Sequence, residues 1–99
     1  MVGHGGSRNN RSDDELLGYL EELAGRASMT IRYVSLEDPE FDMKSGSYVL
    51  MGERTLLIDR ALQTRDRIGI LLQELARVDI NDLYIRPAVR DLIESSRDR

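Results

Sequence analysis

Apolar positions along the chain change their spacing several times, and each change predicts an element. Leu16, Leu17, Leu20, Leu23 and Ala24 recur at intervals of three and four, with Glu21 and Glu22 turned away from them. Ser12 and Glu15 have the spacing of a capping box, and Asp13 and Asp14 add negative charge where a helix end is positive. The expected first helix covers residues 13–24, with Gly25 suited to a left-handed terminal conformation. Met29, Ile31 and Tyr33 then alternate with Thr30 and Arg32, and their β-branched neighbours predict a strand over 29–36. Periodicity disappears across 37–47, where Pro39 and Gly46 punctuate an acid-rich stretch that reads as a loop.

Two nearly continuous apolar runs follow, 48–51 and 55–58, separated by Gly52, Glu53 and Arg54. They predict a hairpin with Gly52 at positive φ. Strands apolar on both faces belong in the middle of a sheet or under cover on each side. Thr64 is the expected cap of a central helix running from Arg65 to Val78, whose stripe is Ile68, Leu71, Leu72 and Leu75, with Ile70 outside it. Leu83, Tyr84 and Ile85 lend apolar surface to a connector, Pro87 suits a first helical turn, and Val89, Leu92 and Ile93 form a last stripe. The expected architecture is one α+β domain over residues 12–95, in the order α-β-β-β-α-α, around a small three-stranded antiparallel sheet. Residues 1–11 read as a disordered leader and 96–99 as a frayed tail.

Composition removes several classes of function. The 99 residues suit a single core, and the absence of cysteine excludes disulfides and thiolate metal sites, in keeping with a cytoplasmic location. The apolar runs are far shorter than a membrane span, and the Gly-rich N-terminus has no apolar signal region. A net charge of -4, with acids and arginines mixed, gives no basic stripe, so nucleic acid is not an expected partner. Tyr19, Tyr33, Tyr48 and Tyr84 read as residues at the edge of the core with their hydroxyls in water. The acids of residues 37–42 lack the spacing of a calcium loop, and the lone His4 supplies no catalytic triad; no cofactor is expected.

Gln73-Glu-Leu-Ala-Arg77 has the spacing of the zinc-peptidase motif His-Glu-x-x-His, in which two imidazoles one turn apart hold a metal and the Glu activates its water. With Thr55-Leu-Leu-Ile-Asp-Arg-Ala-Leu62 and the capped turn between, residues 55–77 resemble the strand, linker and active helix of ImmA/IrrE-type zinc peptidases. Leu62, Leu71, Glu74 and Leu75 match, Ala76 stands at the usual small position, and Gln73 and Arg77 stand where the metal-binding histidines would be. The resemblance implies a zincin-like minimal core in a compact bacterial relative. An amide is a feeble zinc ligand and a protonated guanidinium repels the ion, so what is implied is a metal-free pseudo-peptidase.

At about 100° per residue, Gln73 and Arg77 lie about 40° apart and share a side with Ile70. One reading makes Ile70, Gln73 and Arg77 the lining of a cleft that grips a peptide or a carboxylate, Arg77 by a bidentate contact. The other sandwiches the helix between neighbours and pairs Arg77 with Asp66 or Asp91. Glu74 is the one candidate catalytic group: a metal-free general base needs burial or a partner, whereas a surface carboxylate needs neither, and Arg77 and Asn81 are then its helix-face partners. The expected function is a non-catalytic interaction or regulatory module, meeting a protein partner or a second copy through apolar surface at Ile70, the hairpin or 83–85. The alternative is a hydrolase that uses Glu74 without zinc, or with a metal supplied by the acidic loop.

Overall fold

The computed structural model describes residues 3–35, 46–50 and 52–97, with side chains described over 12–35 and 52–97. Its elements are α1 (Gly3–Arg26), β1 (Met29–Val34), β2 (Gly46–Leu50), β3 (Glu53–Asp59), α2 (Thr64–Arg77) and α3 (Pro87–Arg97), the order the hydrophobic pattern predicts. The acidic segment 37–42 lies outside the described residues, and β2 begins at Gly46, inside the stretch expected to be loop.

The sheet has three strands in the order β1-β3-β2. Leu50 pairs with Glu53, so a two-residue turn joins β2 to β3 antiparallel, and Gly52 takes the positive φ, +84°, that such a turn demands. β1 pairs with β3 in parallel, from Met29 opposite Arg54 to Val34 opposite Asp59. The expected all-antiparallel sheet of a zincin-like core is therefore not formed. Instead β3 takes the centre, and its Thr55, Leu56, Leu57 and Ile58 are all buried, as a strand covered on both faces requires. β1, which exposes Thr30 and Arg32, sits at an edge.

Leu56 and Ile58 share the helix-covered face with Met29 and Ile31, as the register and the twofold alternation of strands require. The core is completed by Leu20 and Leu23 of α1, Leu71 and Leu75 of α2 and Ile93 of α3, all fully enclosed. α2 lies between α1 and α3, and α1 also runs along β1. Each enclosed leucine or isoleucine contributes roughly 1.5–3 kcal/mol, against about 1 kcal/mol for a typical cap, and there are several of them. Tertiary packing accordingly overrides local signals at the helix ends.

Three ends show it. α1 starts at Gly3 instead of Asp13, which leaves Ser12 and Glu15 of the expected capping box inside the helix. At its other end α1 passes through Gly25, Ala27 donates to the Leu23 and Ala24 carbonyls at 2.9 and 3.1 Å, and Ser28 takes the left-handed conformation at φ 66°. α2 begins at Thr64 with Gln63 as an N-cap that makes no side-chain bond. The Thr64 hydroxyl donates to Asp14 Oδ1 at 3.3 Å, tying α2 to α1 instead of capping its own helix.

Two tyrosines expected to keep their hydroxyls wet are structural ties. Tyr33 of β1 donates to Glu21 of α1, and the Arg67 guanidinium lies 4.7 Å from its ring centre. Arg67 also donates to the carbonyls of Leu62 at 3.0 Å and Arg60 at 2.7 Å, fixing the β3–α2 connector. Burial pushes the Tyr33 hydroxyl up from its ordinary value, the Glu21 hydrogen bond and charge push it further, and Arg67 opposes them in part. Tyr19 accepts the Arg86 backbone N–H at 3.0 Å while the Arg86 guanidinium covers its ring at 4.7 Å, which sets the entry of α3.

Candidate functional site

Helix α2 directs its side chains to three places. Ile68, Leu71 and Leu75, at three-and-four spacing, enter the core. Glu74, beside them, is buried as well, with 6% of its surface exposed, which overturns its expected place as a surface carboxylate. Arg54 of β3, two residues before Leu56 on the same sheet face, brings Nη1 to 3.9 Å from Glu74 Oε1. Arg77, one turn further along α2, brings Nη1 to 3.4 Å from Oε2. The acid beside Arg77 is thus its helix-face neighbour Glu74, as one reading of Glu74 expected, and not Asp66 or Asp91.

The balance of this cluster is uneven. Both arginine side chains are well exposed, 41% for Arg54 and 69% for Arg77, so each ion pair contributes only about 0–1 kcal/mol. An unpaired carboxylate in the same place would cost several kcal/mol, on the order expected for a buried ion. Glu74 Oε1 has no hydrogen-bond partner among the described residues. Arg54 is a contributor that sequence reasoning missed; the alternation through Leu56 and Ile58 was the available signal, but it identifies a strand face without saying which helix residue lies over it.

The third direction faces α3. Gly69, Leu72, Gln73 and Ala76 occupy positions i, i+3, i+4 and i+7 of one stripe, opposite Leu92, Ser95 and Ser96 at i, i+3 and i+4 of α3. Between the stripes runs a groove in two parts. An apolar part of about 150 Å³ lies among Gly69, Leu72, Gln73, Leu92, Ser95 and Ser96. A polar part of about 230 Å³ lies among Gln73, Ala76, Arg77, Ser96 and Arg97. Gln73 and Ser96 belong to both, so the parts are continuous.

Arg97 donates through Nε to the Ala76 carbonyl at 3.1 Å and through Nη1 to Glu94 at 3.0 Å. It thereby satisfies one of the carbonyls that the last turn of α2 leaves open. Leu92, expected to be buried with Val89 and Ile93, is 41% exposed at the groove. The structure brings Gln73 and Arg77 together, as their spacing implied, but Ile70 packs partly against the core and lines neither part. Ser96 and Arg97 come from a helix whose direction across α2 no local pattern encodes.

Glu74 lines neither part of the groove, although its neighbour Arg77 does. Among the described residues no three His, Cys, Asp or Glu side chains converge in a way that could hold a metal ion. The side chain of His4 and the acids of 37–42 lie outside the described residues. A larger, polar hollow of about 580 Å³ lies among Asp13, Asp14, Gln63, Thr64 and Arg65, where two carboxylates already face the positive end of α2. No helix among the described residues is long and apolar enough to cross a membrane.

No protein-family model, curated protein or solved structure matches the chain. The likeness to ImmA/IrrE-type peptidases rests on residues 55–77 alone, and no zincin-like neighbour stands behind the core it implied.

Proposed function

We propose that the chain is a non-catalytic interaction module that meets a protein partner or a second copy through the surface of α2 and α3. The observation that carries this reading is the position of Glu74. A general base must come within about 2.6–3.2 Å of the proton it removes, or reach it through one water. Glu74 is enclosed between Arg54 and Arg77 and stays out of the neighbouring groove. Gln73 and Arg77, unsuited to zinc, stand on the outer side of the same helix, and Leu92 and Tyr84 leave apolar surface exposed nearby or on the connector before α3. The likeness to the peptidase helix enters only as the frame in which Glu74 is kept and the ligands are replaced.

A hydrolase using Glu74 is favoured by one feature: its carboxylate is buried with Oε1 lacking a hydrogen-bond donor among the described residues. The two readings separate in an assay of wild type and Glu74→Gln on fluorogenic peptide and nitrophenyl ester substrates. The interaction module gives the same background rate for both proteins. Turnover by wild type that Glu74→Gln abolishes, with its circular dichroism unchanged, overturns the interaction reading.

A further inference from the structure

The groove between α2 and α3 has properties that packing within the chain does not account for. Gly69 weakens the interior of a helix, yet a Cβ built there would meet nothing within 4 Å, so no neighbour requires the glycine. Gly18 and Gly25 of α1 and Gly52 of the hairpin turn also open onto empty space; Gly69 is the one of them that forms a wall of this groove. Leu92 is exposed on the opposite wall, and Leu72 is only half-buried. At the far end stand two guanidiniums. Their charge suits the negative ends of α2 and α3, but a helix end does not require a space between them. Arg77 uses Nη1 toward Glu74, and Arg97 uses Nε and Nη1, which leaves Nη2 of each without a partner among the described residues.

We propose that this groove docks an extended peptide that places an apolar side chain between Leu72 and Leu92 and a carboxylate between Arg77 and Arg97. Complementary charge selects the occupant: planar guanidiniums recognise carboxylates through paired N–H donors, and Gln73 and Ser96 offer further polar contacts midway. The dimensions agree. Gly69 to Arg77 covers about 12 Å along the helix axis at 1.5 Å per residue, the length of three to four extended residues. The apolar part, about 150 Å³, matches the volume of a cavity that holds one benzene ring, enough for a single leucine-sized side chain. The peptide site rests on the interaction reading and names the partner's chemistry.

The test is fluorescence anisotropy with a fluorescein-labelled, C-terminally amidated peptide carrying one leucine and, two residues on, one aspartate, since extended side chains two apart share a face. Companion peptides replace the aspartate with asparagine or lysine, and another ends in a free carboxylate at that position. Saturable binding of the aspartate peptide is expected, at least tenfold weaker with asparagine and absent with lysine. Gly69→Trp and Ser95→Trp, which fill the groove from opposite walls, and Arg77→Gln are each expected to weaken binding at least tenfold while circular dichroism is retained. Two tryptophan sites on different helices guard against one variant failing to fold. A free-carboxylate peptide that binds more than tenfold tighter identifies chain termini as the preferred form of the same ligand. Absence of saturable binding at millimolar peptide, equal binding of the lysine peptide, or indifference to both tryptophans overturns the proposal. So does a concentration-dependent mass in light scattering that either tryptophan abolishes while the peptide fails to bind, because a second copy is then the occupant. These failures leave the broader reading standing unless turnover dependent on Glu74 is also found.

Discussion

The inner and outer sides of α2 follow opposite rules although they share one backbone. On the inner side every position is filled: Ile68, Leu71 and Leu75 are enclosed, and even the carboxylate of Glu74 is covered and bracketed by Arg54 and Arg77. On the outer side Gly69 contributes no side chain, Gln73 is exposed, and Arg77 and Arg97 bound an open groove. The difference separates what holds the molecule together from what it presents. Stability belongs to the inner side, where removing atoms leaves cavities or stranded charge; the outer side tolerates change and is free to serve recognition.

The largest test of that contrast is a pair of truncations. Leu71→Ala, at a fully enclosed position, is expected to cost about 2–5 kcal/mol in urea unfolding, whereas Leu92→Ala stays within about 0.5–1 kcal/mol of wild type. Comparable losses would mean that the outer wall is part of the core. Next comes the asymmetry at Glu74. Removing both guanidiniums, Arg54→Met with Arg77→Met, strands a buried carboxylate and is expected to cost about 2–4 kcal/mol. Glu74→Met instead frees two exposed arginines to water and should change stability by about 1 kcal/mol or less, in either direction. Should Glu74→Met prove the more damaging, the carboxylate anchors the fold more strongly than its partners' exposure allows.

Tyr33 measures a helix-to-strand tie away from α2. Tyr33→Phe loses the bond to Glu21 and is expected to cost about 0.5–1.5 kcal/mol near neutral pH. Because folding raises the proton affinity of Tyr33, its contribution is complete below the ordinary value of 10.0 and is lost as pH rises past it toward the folded value. Wild-type urea midpoints should therefore fall above pH 10, and Tyr33→Phe should fall less over the same range; parallel curves would remove Tyr33 as the source. The smallest effect sharpens the outer side. Gly69→Ala is expected to stabilise α2 by about 0.5–1 kcal/mol, since the added methyl group meets open space. A loss of stability would mean that the groove closes over Gly69 in solution.

Much of the architecture was legible as spacing. The apolar stripes of α1, α2 and α3, the alternation of β1, the glycine turn at Gly52 and the doubly buried run of β3 all appear in the order of side chains, because each depends on neighbours within a turn or a strand. Gln73 and Arg77 were likewise placed together by helical geometry. Which edge of the hairpin receives β1 was not legible: a meander and the observed parallel pairing offer the same local pattern, and burial of β3 on both faces chose between them.

The same division runs through the site. Glu74 looks like any surface glutamate until Arg54 arrives from a strand twenty residues earlier in the chain, and the peptidase-like spacing carried no information about that partner. Ser96 and Arg97 became groove residues only when α3 crossed α2 in the direction that lets Arg97 cap the Ala76 carbonyl. Periodicity decides which side of an element is apolar, since that is set by adjacent residues. Strand neighbours, helix crossings and the enclosure of a charge depend on contacts far apart in the chain, whose energies outweigh local preference and leave no trace in spacing.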